Sequence, residues 1–295
     1  MAQARTARVE ELAVLATVPA ALEGIALARD GSIYVTNDVD RTVFVLGPRG
    51  RLVRRWTLPA HPQTLAVTTR GDIVVTAHAN PPDFSVMARP GGRFDLTNLG
   101  TMVLVLTEDG TVQRTFPGPA DSFFNGIARV TDSVFIIADS TGGSLWKLDL
   151  RQNSLERWLS GGVVESAAGR GNNGGANGIK VHDGWVYFTS RGAMWRVKVG
   201  ADQRADGEPV RFAAVNGDDF DIAADGSVFI VSGGKLVKIS PEGETTDAVA
   251  DLGVGCPSVH ITSDQRAVLA VTRGSFPDLP PPILPSRLLR VSLTP

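Results

Sequence analysis

One short pattern occurs six times along this 295-residue chain: an alternating apolar segment, a tight turn often carrying Asp-Gly, then a β-branched or aromatic segment. The copies are LEGIALARDGSIYVT from Leu22, PQTLAVTTRGDIVVTA from Pro62 and FNGIARVTDSVFIIAD from Phe124. They continue with ANGIKVHDGWVYFTS from Ala176, GDDFDIAADGSVFIVS from Gly217 and CPSVHITSDQRAVLAVT from Cys256. Period-two alternation on both sides of a tight turn is the signature of a β-hairpin. A third apolar segment follows each copy (TVFVLG, MVLVLT, SLWKLD, AMWRVK, KLVKIS, RLLRVSL), and a more polar fourth, such as RLVRRWTL or TVQRTF, follows several. Six four-stranded repeats predict an all-β fold, a six-bladed β-propeller. The sixth repeat lacks its fourth strand, while one spare strand lies around Val9 to Val18. That strand is expected to complete the last blade and close the ring, making residues 1–295 a single propeller domain.

Composition excludes several classes. Hydrophobic residues make up 43% of the chain, enough for a sizeable core. The net charge of −2 gives neither nucleic acid nor an anionic membrane a field to follow. No run of about 18 apolar residues is present to span a membrane. The single cysteine, Cys256, rules out an intrachain disulfide. Leu12 to Ala21 is apolar, but Glu10 and Glu11 precede it and repeat material follows directly. A strand is expected there rather than a signal peptide, and with it a cytoplasmic location.

In a propeller the first strand of each blade lines the central channel, so the residue that opens it sits at one channel mouth. The equivalent positions are Glu23, Gln63, Asn125, Asn177, Asp218 and Pro257, spaced 40, 62, 52, 41 and 39 residues apart. A minimal blade needs about 40. The excess locates insertions at Ala79 to Gly100 and Ser160 to Gly175, with a proline-rich one at Gly274 to Pro285. All three fall in loop classes on the mouth face, where lids gather. Their apolar residues include Phe84, Phe94, Leu96, Phe276, Leu279 and Leu284. An Asn or Asp before Gly is, singly, an ordinary turn former. Four polar residues opening inner strands of one ring are different, because burying them is costly unless something coordinates them. Glu23, Asn125, Asn177 and Asp218 form a hard-oxygen set that suits calcium, with magnesium and manganese as the other candidates and zinc disfavoured.

The ends of the second strands supply Asn37, His78, Asp139, Ser190, Ser232 and Arg273 at the same mouth. Of these, His78 and Arg273 have the chemistry to orient or polarise a substrate. His182 falls in a far-end turn, and His260, three residues into the sixth repeat, is placed along the channel. The stretch GRGNNGG at Gly169 to Gly175 lacks the GK[ST] ending of a phosphate loop, and neither a G-x-S-x-G elbow nor an HExxH motif occurs.

In their order, Glu23-Gly24, Phe124-Asn125-Gly126, Ala176-Asn177-Gly178 and Gly217-Asp218-Asp219 resemble a family of six-bladed propellers. It comprises senescence marker protein, gluconolactonase and luciferin-regenerating enzyme, with diisopropylfluorophosphatase as a structural relative. The resemblance implies one divalent cation, usually calcium, held by Glu23, Asn125, Asn177 and Asp218. The family's Pro-Asp-Gly is here Gly217-Asp218-Asp219-Phe220, which makes Asp219 the second candidate carboxylate. The family's sugar-acid arginine has no clear counterpart, which favours a more apolar substrate. The expected function is metal-dependent hydrolysis of a lactone, ester or phosphotriester of a small molecule. Asp218 would act as base or nucleophile, Asp219 would be the alternative, and His78 and Arg273 would assist. Two rival expectations are a lyase, isomerase or cyclase at the same site, and a binding propeller with structural calcium. Neither nucleic acid nor membrane is an expected partner.

Overall fold

A computed structural model describes residues 7–17, 20–88, 95–169, 174–253, 255–275 and 282–293. Its strands form six four-stranded antiparallel sheets, the blades of a β-propeller. The first blade holds β2 (Leu22–Leu27), β3 (Ile33–Asn37), β4 (Thr42–Leu46) and β5 (Leu52–Thr57). β6 (His61–Val67), β7 (Ile73–His78), β8 (Thr101–Leu106) and β9 (Val112–Pro117) make the second. The third runs through β10 (Phe124–Arg129), β11 (Val134–Asp139), β12 (Ser144–Asp149) and β13 (Ser154–Ser160). In the fourth are β14 (Ile179–His182), β15 (Trp185–Ser190), β16 (Ala193–Val199) and β17 (Ala205–Ala213). The fifth comprises β18 (Phe220–Ile222), β19 (Val228–Ser232), β20 (Lys235–Ile239) and β21 (Thr245–Asp251). The sixth takes β22 (Ser258–Ile261), β23 (Ala267–Val271) and β24 (Ser286–Ser292) from the chain's end, and β1 (Val9–Ala16) from its beginning. β1 pairs antiparallel with β24, Val9 opposite Val291 and Ala16 opposite Ser286, so the expected closure is present.

Burial explains the composition of the strands. β3 and β4 are buried at every position, whereas β5 is exposed except at Trp56. An inner strand is covered on both faces by neighbouring blades and therefore reads as continuous Val, Ile and Phe. The outer strand meets water and carries charge. Each pair of adjacent blades shares one apolar cluster, such as Tyr34, Val43 and Trp56 against Leu65, Val75 and Leu104. The first and sixth blades meet through Leu22, Val35 and Phe44 against Leu269 and Leu288. No α-helix is present among the described residues, and no helix there is long and apolar enough to cross a membrane.

The ring is drawn together at the openings of the first strands. Pairing of β2 with β3 slips between Leu22 and Ile25, that of β6 with β7 between Pro62 and Leu65, and that of β10 with β11 between Phe124 and Ile127. Each slip is a bulge, and it turns Glu23, Gln63 and Asn125 out of the ladder. Asn177 and Asp218 reach the equivalent place just before β14 and β18 begin. The glycine after a ring residue is required by crowding. A Cβ on Gly24 would lie 2.7 Å from Thr64 Cα, and one on Gly178 would lie 2.5 Å from Asp218 O. The motifs Glu-Gly and Asn-Gly thus record how closely the next blade's backbone approaches.

A second-strand threonine then links the blades. Thr189 Oγ1 accepts from Gly178 N at 2.9 Å and donates to Asp218 O at 2.8 Å. Thr76 Oγ1 similarly accepts from Thr64 N and donates to Asn125 O. Substituting Thr189→Val keeps the shape but removes a buried donor and acceptor. It is expected to lower stability by about 1–3 kcal/mol in a denaturant titration, the usual cost of leaving such groups unmet. A loss below that range would mean that the threonines are incidental to ring closure.

Candidate active site

At the mouth of the channel lies a cavity of about 170 Å³ lined by Glu23, Asp38, Gln63, Pro82, Phe84, Leu96, Phe123, Asn125, Asn177, Asp218 and Arg273. The structure therefore brings together all four ring residues singled out in the sequence, with Arg273 from the end of the sixth blade's second strand. Arg273 Nη2 donates to Glu23 Oε2 at 2.7 Å and to Asp218 Oδ2 at 3.0 Å. Asn177 Nδ2 donates to Asp218 Oδ1 at 2.7 Å, and Asn125 Nδ2 to Ser140 Oγ at 3.3 Å. Burial pushes the Glu23 carboxyl up to about 7, against the opposing pull of Arg273 and with further upward pressure from Asp218 and Asp38. Burial disfavours the charge on Arg273 too, but Glu23 and Asp218 outweigh it and hold the guanidinium above its ordinary value.

A second group of polar residues sits against one wall. Asp38 is almost fully buried, as are His78 and Gln63. Gln63 Nε2 donates to Asp38 Oδ2 at 2.8 Å and stands 3.0 Å from His78 Nε2, while His78 Nδ1 lies 2.6 Å from Asn80 O. The Gln63 amide thus bridges Asp38 and His78, and His78 Nε2 itself lies 3.3 Å from Asp38 Oδ2. His61 Nδ1 donates to the Asp38 carbonyl at 2.7 Å and lies 3.3 Å from Asp38 Oδ1. His61 and His78 stack with ring centres 5.3 Å apart, and Phe123 covers His78 at 5.4 Å. Burial raises the Asp38 carboxyl, but hydrogen bonds and charge from His61 and His78 outweigh it and hold it below the usual value. His61 moves the other way: burial lowers it, and Asp38 more than compensates.

The remaining candidates lie elsewhere. Asp219 is buried beneath the mouth, where both oxygens take Lys180 Nζ at 2.7 Å and Oδ2 also accepts from Ser258 Oγ at 2.7 Å. It does not line the cavity, so of the adjacent pair it is Asp218 that faces the ring. His78 lies behind Gln63 and Asp38 rather than on the cavity surface. Asn37 and Asp139 clamp loops, Asp139 by accepting from Phe123 N, Gly142 N and Trp146 Nε1. His260 pairs with Asp221 at 3.0 Å between β22 and β18, and His182 closes β14 at the end away from the ring. Phe84 and Leu96 wall the cavity. Phe94, Phe276 and Leu279 lie outside the described residues. Asp38, Gln63 and His61 were not among the expected site residues; the available signal was a carboxylate one residue past the end of β3, beside a ring position already held by Gln63.

The donor set fits a divalent cation on one direct observation. A single positive nitrogen, Arg273 Nη2, lies within 3.0 Å of an oxygen from each of the two carboxylates, so one cation can be shared between them. Among the described residues no three of His, Cys, Asp and Glu gather as a metal-holding group. Any ion at the mouth would rely on amide oxygens, which suits a hard cation. A larger cavity of about 630 Å³ opens beside the mouth, between the fifth and sixth blades. Asp218 and Arg273 line it as well, with Val231, Leu252, Cys256, Leu284 and Leu289 among its apolar walls. Burial pushes the Cys256 thiol up to about 12, so it acts as wall and not as nucleophile.

Solved propellers share this architecture. A luciferin-regenerating enzyme superposes with a TM-score of 0.70 at 14% identity over 97% of this chain and 95% of its own. Its fold is theirs. A gluconolactonase from Xanthomonas campestris gives 0.70 at 14% identity, covering 98% of this chain and 90% of that one. Regucalcin, a calcium-binding protein from Agrobacterium tumefaciens, gives 0.67 at 14% over 95% and 94%. Virginiamycin B lyase from Staphylococcus aureus gives 0.62 at 12% over 98% and 100%. These neighbours include the group that the sequence resembles, and they associate the fold with enzymes and with calcium. No family model matches the chain, and no curated protein does.

Proposed function

We propose that the chain is a hydrolase that opens a lactone, ester or phosphotriester of a fairly apolar small molecule at the channel mouth. One divalent cation, calcium by preference, would be held there by Glu23, Asn125, Asn177 and Asp218. The observation that carries this reading is the convergence of those four side chains on one small cavity walled by Phe84, Leu96 and Phe123. A bound cation of this kind polarises a carbonyl or phosphoryl oxygen and makes a nearby water more acidic. The chain's own residues have separate tasks. Asp218, where the two cavities meet, accepts the proton of the attacking water. Arg273 offers its guanidinium to the oxygen that gains charge. The aromatic wall excludes bulk water, and the 630 Å³ cavity takes the apolar part of the substrate.

A chelation series on an aryl-ester and lactone panel tests this reading. Turnover is expected to vanish on removing divalent ions and to return with calcium; full activity in protein shown to be ion-free would sink it.

A lyase, isomerase or cyclase is favoured by one feature, the buried Asp38, His61 and His78 cluster beside the mouth. Such a group suits proton abstraction and return without water. Product mass separates the readings, because hydrolysis must add one water.

A further inference from the structure

We infer that Arg273 is an internal rival of the divalent cation: its guanidinium holds the place between Glu23 and Asp218, and an ion enters only as that group withdraws. The inference rests on the proposed cation site and concerns how the chain controls access to it.

Among the ends of the six second strands, five carry Asn37, His78, Asp139, Ser190 and Ser232; only the sixth, at Arg273, carries a permanent cation. The side chain is placed against both carboxylates that an ion would need, at 2.7 Å from Glu23 Oε2 and 3.0 Å from Asp218 Oδ2. Calcium takes oxygens at roughly 2.3–2.6 Å. An ion that close to both oxygens on the side where Nη2 lies would overlap the guanidinium, so the two cations compete for that space. Charge excludes them as well, since Glu23 and Asp218 carry two negative charges at most and one is already matched. Asn177 belongs to the same arrangement, its amide nitrogen donating to Asp218 Oδ1 at 2.7 Å.

The guanidinium has somewhere to go. Arg273 lines both the 170 Å³ mouth and the 630 Å³ cavity between the fifth and sixth blades. Its backbone is tied, since Ser286 Oγ donates to Arg273 O at 2.7 Å. The exchange is therefore a side-chain rotation about a fixed backbone, from the carboxylates toward the larger cavity. There the planar donor fork remains available to an oxygen of whatever occupies that space. Ion loading and presentation of the guanidinium to a ligand become one event.

Calcium titration of the full-length, ion-stripped protein by calorimetry tests this, with terbium luminescence as a second readout. Arg273→Gln and Arg273→Ala are expected to bind calcium at least roughly tenfold more tightly than the unaltered protein, a change of one decade in Kd. Arg273→Lys keeps the charge and should remain close to the unaltered protein. Calcium should also raise the melting temperature of Arg273→Gln more than that of the unaltered protein. Equal or weaker calcium binding in Arg273→Gln overturns the rivalry while leaving the cation site standing. Absence of calcium binding in every variant overturns the cation site, and the rivalry with it. Should Arg273→Ala fail to fold, the comparison of Gln with Lys decides, and equal affinities there refute the inference.

Discussion

Asp218→Asn is expected to reduce kcat/KM on the ester and lactone panel by about 10²–10⁴-fold, the range by which a positioned proton-transfer group contributes. Asp218 is the one carboxylate that lines both cavities and accepts from Arg273 and from Asn177. An asparagine has the same outline but one acceptor oxygen in place of two. Its NH2 must then face one of two donors, and the site loses a charge-assisted hydrogen bond together with its base. The side chain is 31% exposed, so water compensates much of the structural loss. Folding, followed by thermal denaturation, should change far less than turnover. An Asp218→Asn protein that keeps its activity would assign the proton transfer elsewhere, with Asp38 the nearest alternative.

The blade architecture was legible because each repeat carries its own instructions. Alternation and Asp-Gly turns define hairpins locally, and six copies leave one way to bury the resulting faces. Even the closing strand could be read, since β24 without β1 would present an open edge of paired apolar residues. The ring residues were legible for a related reason. Glu23, Asn125 and Asn177 each precede a glycine, and that glycine marks where the following blade approaches within contact distance. Repeat register then does what a motif of two residues alone could not.

What the register could not supply was direction beyond the backbone. Asp218 and Asp219 are neighbours in sequence, and only the start of β18 decides that one faces the mouth while the other turns down to Lys180 and Ser258. Arg273 was placed at the mouth by its strand position, but its reach across to Glu23, 250 residues away in sequence, depends on how the ring closes. Gln63 holds an equivalent ring position but is not in the expected donor set, and its amide joins Asp38 to His78. His78 in turn supports the wall and does not touch the cavity. These are long-range side-chain choices, made by three-dimensional neighbours that no local pattern encodes.

Asp38→Ala is expected to destabilise the fold by about 3–5 kcal/mol, the range found when one partner of a buried ionic cluster is removed. At roughly 2 °C per kcal/mol for a chain of this size, the melting temperature should fall by about 6–10 °C. The cause is what remains behind. Gln63 Nε2 loses its 2.8 Å acceptor, and His61 loses the carboxylate that sustains its charge, both in buried positions. The size of the effect should depend on pH in a defined direction. His61 is raised above its ordinary 6.5, so its contribution is complete below that pH and declines as pH rises through the raised value. Asp38 is lowered below its ordinary 3.8, so its contribution is complete above that pH and declines as pH falls through the lowered value. The gap between the unaltered protein and Asp38→Asn, which keeps the side-chain volume, should therefore be widest between about pH 4 and 6.5 and narrow on both sides. Melting curves taken across that span measure it. A gap that stays constant from acid to alkaline pH would show that Asp38 supports the mouth by shape and not by charge, and would remove the cluster as a source of proton chemistry.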